Sequence, residues 1–187
     1  MKHYRIALIV GSLRRDSYNR RLAHAMQPLA PAELAFADVA IGDLPLYNQD
    51  DDANPSPFVN KLKHEIRIAD GVLFVTAEYN RSIPGVLKNA IDHASRPYGE
   101  SIWSGKPAGI IGVSVGASGT AMAQQHLRNV LATLDMPTLG QPEVFLHAQV
   151  GQDGLFDGAG ALAPGICALM EVWLSRYTAW VSRNVRS

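Results

Sequence analysis

Glu78, Tyr79, Asn80, Arg81 and Ser82 set a carboxylate, an aromatic ring, an amide, a permanent cation and a hydroxyl side by side, followed by Ile83-Pro84-Gly85. Such a set can line a flat polar ligand, with donors and acceptors for its edges and positive charge for any anion formed on it. A second set, Gly11-Ser12-Leu13-Arg14-Arg15-Asp16-Ser17-Tyr18-Asn19, joins hydroxyls, an amide and arginines to what reads as a helix start. Backbone N–H groups there carry partial positive charge, and Ser12, Ser17 and Asn19 add side-chain donors, so this set suits a tetrahedral phosphate. It has neither the G-x-G-x-x-G of a pyrophosphate loop nor the G-x-x-x-x-G-K-[ST] of a triphosphate loop, so a terminal monophosphate fits better than either. An ordinary βα turn and a Ser-capped helix with exposed arginines are the plain alternatives for these two sets.

A third set, Gly112-Val113-Ser114-Val115-Gly116-Ala117-Ser118-Gly119, opens with the G-x-S-x-G pattern of a nucleophile elbow. With Asp135 and His147 behind it, Ser114 would have the chain order of a hydrolase triad. The chain has too few strands for an ordinary hydrolase sheet and no HGGG-type oxyanion loop. The glycines more simply let backbone approach a flat ligand.

These sets need strands to carry them. Tyr4 to Val10 reads as a first strand, and Ser17 as the N-cap of a helix running to about Leu29. Leu34 to Val39 reads as an edge strand, followed by a long loop and a helix from Phe58 to about Ala69 with Phe58, Leu62, Ile66 and Ala69 on its apolar face. Val72 to Thr76 is a continuous apolar and β-branched run of the kind found in a parallel strand covered on both faces. A helix from Pro84, at its N1 position, to about Ser95 follows. Ala108 to Ser114 forms a fourth strand, Thr120 to Leu134 a helix, and Val144 to His147 a fifth strand. The last helix spaces Ile166, Leu169, Met170, Trp173, Leu174, Tyr177, Trp180 and Val181 as core. Five βα units without repeats or linkers predict a doubly wound, flavodoxin-like αβα sandwich in one domain, 1–187, with strand order 2-1-3-4-5. The three sets then converge at the carboxyl ends of strands one, three and four.

Composition narrows the partners. The 187 residues carry 17 Lys+Arg against 17 Asp+Glu, a balance that advertises neither nucleic acid nor an anionic membrane. Asp50-Asp51-Asp52 reads as a solvated loop. The single cysteine, Cys167, rules out an internal disulfide and fits a reducing, cytoplasmic compartment. The apolar run Ile6–Val10 is too short for a signal segment, and the uncharged stretch from Pro107 to Gln125 is broken by glycines and serines, so no membrane span is expected. His3, His24, His64 and His126 have no shared ligand spacing and read as surface or packing residues, with no metal site expected. Asp153-Gly154 and Asp157-Gly158 read as turns, not a calcium loop.

A phosphate on the first loop and a planar ring between the third and fourth describe noncovalently held flavin mononucleotide (FMN). The segments 11–19, 78–92 (Glu-Tyr-Asn-Arg-Ser-Ile-Pro-Gly-Val-Leu-Lys-Asn-Ala-Ile-Asp) and Gly105-Lys106-Pro107 resemble the NAD(P)H-dependent FMN reductase family, especially its quinone and chromate reductase branch. The resemblance spans nearly the whole chain, and the middle segment is its most specific part. It implies that Ser12, Arg14, Ser17, Tyr18 and Asn19 hold the FMN phosphate. It implies that Glu78, Tyr79, Asn80 and Arg81 line the isoalloxazine, with Ser114 closing the other side and Asn80 and Arg81 tuning the flavin. It further implies NAD(P)H as cosubstrate, ping-pong hydride transfer to small acceptors such as quinones, azo dyes or chromate, and a homodimer or homotetramer. A free-flavin reductase and a flavodoxin-type electron carrier are the alternatives. Two departures stand out: Ala77 where the family usually has proline, and His93 where it often has tryptophan.

Overall fold

The computed structural model describes residues 2–148, 154–157 and 159–185. Its five strands, β1 (Tyr4–Gly11), β2 (Leu34–Asp38), β3 (Gly71–Thr76), β4 (Ala108–Ser114) and β5 (Phe145–His147), form one parallel sheet in the order β2-β1-β3-β4-β5. The flavodoxin-like order expected from sequence is therefore present. Five helices cover it: α1 (Tyr18–Met26), α2 (Pro57–Arg67), α3 (Gly85–Ala94), α4 (Ala121–Thr133) and α5 (Pro164–Asn184).

Strand alternation divides the core into two layers. Ile6, Leu8, Leu73, Val75, Ile111 and Val113 face α1 and α5. Ala7, Ile9, Val72, Phe74, Ala108 and Ile110 face α2, α3 and α4. Every residue of β3 is buried, as a central strand covered on both faces requires. On α5, Met170, Trp173, Leu174, Tyr177 and Val181 are buried and contribute roughly 1.5–3 kcal/mol each. Ile166, Leu169 and Trp180 pack partly buried against them. Trp173 and Tyr177 stack with ring centroids 5.1 Å apart. The pair lies flat on β4 because position 109 is glycine: a Cβ there would sit 2.7 Å from the Trp173 ring and 2.8 Å from that of Tyr177.

Element ends differ from the sequence reading by a residue or two, with local causes. The first helix gives way after Met26 to a 3-10 turn, Gln27–Leu29, because Pro28 cannot donate its N–H. On α2 the core residues are Val59, Leu62 and Ile66, whereas Phe58 is 53% exposed. Ser56 caps this helix and Pro57 takes its first turn, which rotates Phe58 outward. Pro84 is the N-cap of α3 and not its N1 residue. The acidic run joins a short 3-10 turn, Gln49–Asp51, which sequence read only as loop. Asp153 and Gly158 lie outside the described residues. Asp157 makes a turn, its carboxylate accepting the N–H groups of Ala159 and Ala161 at 2.9 Å. Among the described residues no helix is long and apolar enough to cross a membrane.

Candidate functional site

Strand order changes direction between β1 and β3, so the loops leaving their carboxyl ends part and open a crevice. Ser12, Arg14, Ser17, Tyr18 and Asn19 line it from the β1 side, Ala77, Glu78 and Tyr79 from the β3 side, and Val113, Ser114 and Val115 from the β4 side. The three polar sets singled out in the sequence thus meet around one opening of about 120 Å³.

The loop after β1 ends where α1 begins. Ser17, buried and extended, caps the helix by accepting the Arg20 N–H at 3.3 Å, and its carbonyl accepts that of Arg21 at 3.0 Å. Helix geometry leaves the N–H groups of Tyr18 and Asn19 with no acceptor inside the helix. Arg14 is exposed at the same rim. The Asn19 side chain is otherwise engaged. Its Nδ2 donates to the Val113 carbonyl and its Oδ1 accepts the Val113 N–H, both at 2.9 Å and both buried. Asn19 therefore fastens α1 to β4, and what it can offer an anion is its backbone N–H.

The loop after β3 is a tight hairpin. Tyr79 and Ser82 exchange backbone hydrogen bonds of 2.9 and 3.0 Å, and between them Asn80 (φ 52°) and Arg81 (φ 63°) are both left-handed. Two such residues make a type I′ turn, a geometry that glycine usually helps and that an arginine adopts at some cost. Asn80 and Arg81 stand exposed at the tip, outside the residues that line the crevice, while Tyr79 lines it and is 51% exposed. His126 of α4, which sequence assigned to surface or packing, places Nδ1 3.0 Å from the Ser82 hydroxyl and holds the hairpin from beneath.

Glu78 reaches across to the β4 side. Its Oε1 accepts the Ser118 hydroxyl at 2.7 Å, and its Oε2 accepts the N–H groups of Met122 and Ala123 at 3.0 and 3.1 Å. Thr120, the formal N-cap of α4, makes no side-chain cap and has φ 88°. A β-branched residue in that region is strained. It is held there by a buried hydrogen bond of 3.0 Å from Gln124 to its hydroxyl and by the absence of a side chain at Gly112, where a Cβ would lie 2.7 Å from the same hydroxyl.

The nucleophile-elbow reading of Ser114 fails on geometry. The Ser114 hydroxyl accepts the Gly116 N–H at 3.0 Å, and His147 bonds through Nε2 to the Val115 carbonyl at 3.1 Å. Asp135 receives the Ser104 hydroxyl, and its carbonyl accepts the Gly105 N–H, at the far end of β4. Seven residues of strand separate that end from Ser114, about 20 Å. The Gly105-Lys106-Pro107 segment is at that far end too. Lys106 donates to the carbonyls of Arg67 and Ala69 at the close of α2, and burial lowers its pKa from the ordinary value.

A larger groove of about 430 Å³ lies beyond the first loop, between α1 and the end of β2. It has no residue from the loops after β3 and β4, and His24 and Asp38 in its wall face each other at 3.7 Å. The switch-point crevice is the candidate site on topology and chemistry, not on size. Among the described residues no group of three or more His, Cys, Asp or Glu could hold a metal ion.

Sequence reading missed Ser118, Thr120 and Gln124. Ser118 stood in the third set without a role and Thr120 read as an ordinary helix start, and a polar residue on a helix, such as Gln124, gives no sign that it will be buried.

Known proteins are similar to this chain over most of its length. The family model described as NADPH-dependent FMN reductase matches residues 4–151. A 2-hydroxy-1,4-benzoquinone reductase of a Burkholderia species is 49% identical over 178 residues, covering 95% of this chain and 96% of the relative. A quinone reductase of Pseudomonas putida is 48% identical, covering 97% and 96%. Among solved structures, FerB from Paracoccus denitrificans, a flavoenzyme NAD(P)H:(acceptor) oxidoreductase, superposes with a TM-score of 0.90 at 38% identity over 97% of this chain and 98% of its own.

Proposed function

The chain belongs to the NADPH-dependent FMN reductase family, and from that premise we propose that it is an FMN-dependent NAD(P)H oxidoreductase that reduces quinones, with residues 1–187 forming one flavin-binding domain. The observation that carries this reading is the meeting of an open helix start with a polar, aromatic-rimmed wall in one crevice. The fit to FMN is chemical. The N–H groups of Tyr18 and Asn19, the hydroxyls of Ser12 and Ser17 and the Arg14 guanidinium together suit a phosphate dianion. Tyr79, Glu78 and Ser114 would flank the ring system, and the turn at Asn80 and Arg81 would form its rim.

FMN, when bound, supplies the hydride-accepting and hydride-donating ring. The protein's part is placement. The α1 end would anchor the phosphate, and the two walls would hold the ring between them. From the rim, the Arg81 cation and nearby backbone N–H groups would favour negative charge on the ring. The crevice is open, so nicotinamide and acceptor can occupy the same face in turn. This supports ping-pong exchange and tolerance of varied small acceptors, azo dyes and chromate among them. Tyr79 and Val115 at the crevice, 51% and 52% exposed, and Met122 on α4, 46% exposed, support assembly into a homodimer or homotetramer. The single cysteine and balanced charge support a cytoplasmic location.

Purified protein should carry yellow flavin that NADPH bleaches and a quinone restores. A colourless protein that hydrolyses nitrophenyl esters, and loses this activity on Ser114→Ala, would overturn the reading.

A further inference from the structure

The crevice has two walls that belong to different βα units, and one side chain joins them. Glu78 leaves the β3 wall, and its carboxylate takes the hydroxyl of Ser118 and the N–H groups of Met122 and Ala123, all on the β4 side. With the Ala121 N–H bonded to the Ser118 carbonyl and the Gln124 N–H to that of Thr120, the first turn of α4 is fully satisfied, and Glu78 provides the half that Thr120 does not. A carboxylate at a helix N-terminus is favoured by the dipole and by charge-assisted hydrogen bonds. Here it also fixes a distance: Tyr79, next in the chain, and Val115, three residues before Ser118, both line the crevice that the bridge spans.

We propose that Glu78 is a positioning residue that sets the separation of the two crevice walls, its carboxylate capping α4 from the opposite wall. The inference rests on the flavin reading above. It also assigns the α4 start no part in phosphate binding, because the protein's own carboxylate occupies it.

The test compares FMN and riboflavin affinity, by flavin-fluorescence quenching, with the melting temperature of the apoprotein. Glu78→Ala should weaken FMN and riboflavin alike, by about tenfold or more, because the bridge acts on the ring walls and not on the phosphate. It should also blur the visible circular dichroism of the bound flavin. Glu78→Gln keeps an acceptor for both N–H groups and a donor toward Ser118, and should remain within about threefold of the parent. The double variant Glu78→Ala/Ser118→Asp returns a carboxylate to α4 from its own loop. It should recover the melting temperature without recovering flavin affinity, and it carries the measurement if Glu78→Ala alone does not fold. Unchanged flavin affinity in Glu78→Ala, a loss in Glu78→Gln as large as in Glu78→Ala, or recovery of affinity together with stability in the double variant would each overturn the proposal. A parent protein that binds neither flavin would instead sink the functional reading beneath it.

Discussion

At the start of α1 the N–H groups of Tyr18 and Asn19 have no acceptor within the helix, whereas at the start of α4 the first four are all taken: Ala121 by Ser118, Met122 and Ala123 by Glu78, and Gln124 by Thr120. Both helices follow a strand that ends at the crevice, and both bring the positive end of a dipole to it. One is left open beside an exposed arginine and two buried serines, and the other is closed by a carboxylate from the neighbouring loop. A helix start becomes an anion site only where the chain declines to fill it. Under the proposed flavin reading, that choice would tell the phosphate end of the crevice from the ring end.

The contrast can be broken most severely at Asn19, which joins the open helix to the strand leading to the closed one. Asn19→Ala leaves the Val113 N–H and carbonyl buried without partners and should cost roughly 3 kcal/mol, lowering the melting temperature by about 6–12 °C. Chemical denaturation of apoprotein measures this directly. A loss confined to flavin affinity, with stability intact, would mean that Asn19 is a ligand and not a brace.

A smaller effect on stability and a more selective one on binding is expected at Arg14 and Ser17. The double variant Arg14→Ala/Ser17→Ala should weaken FMN by about 10- to 100-fold. It should leave riboflavin affinity nearly unchanged, the reverse of the even loss expected at Glu78. The lost cap costs about 1 kcal/mol of fold stability. Equal weakening of both flavins would erase the distinction between the two helix starts.

The smallest effect is expected at Tyr177, beside Gly71 at the opposite end of the sheet, where it serves as a control. Its hydroxyl is buried without a hydrogen-bond partner, and burial pushes its pKa well above the ordinary tyrosine value. The folded state therefore holds this proton more tightly than the unfolded state. Its contribution to stability is complete below about pH 10 and declines as pH rises toward the elevated folded value. Tyr177→Phe should change stability at neutral pH by no more than about 1 kcal/mol and lessen its fall above pH 10. Denaturation curves at pH 7 and pH 10.5 check this, and flavin affinity should not move.

Strand order and the three crevice loops were legible because both depend on local pattern. Val72–Val75 is apolar throughout, and Gly, Ser and Asn cluster where strands end. Most of the proposed site residues were legible for the same reason: Ser12, Arg14, Ser17, Tyr18, Glu78, Tyr79 and Ser114 all line the crevice. What the side chains do there was harder to read. Asn19 looked like a donor to phosphate and is bonded to a strand 94 positions away. Glu78 looked like a ring contact and also caps a helix 44 residues on. Arg81 looked like a crevice residue and sits in a left-handed turn whose geometry a sequence without glycine does not announce. Each case turns on a long-range partner or a backbone conformation, neither of which leaves a periodic trace.

The Asn19 clasp has a consequence for the order in which the molecule acquires its parts. It joins the first loop to the fourth strand, and loop-closure entropy makes contacts of such wide separation slow to form. Before β4 docks, α1 can pack on β1 and β3 through Leu22, Ala23 and Met26, but the loop that precedes it lacks its buried tie to Val113. If the loop before α1 holds the phosphate, as proposed, a bound flavin reports a sheet assembled through its fourth strand.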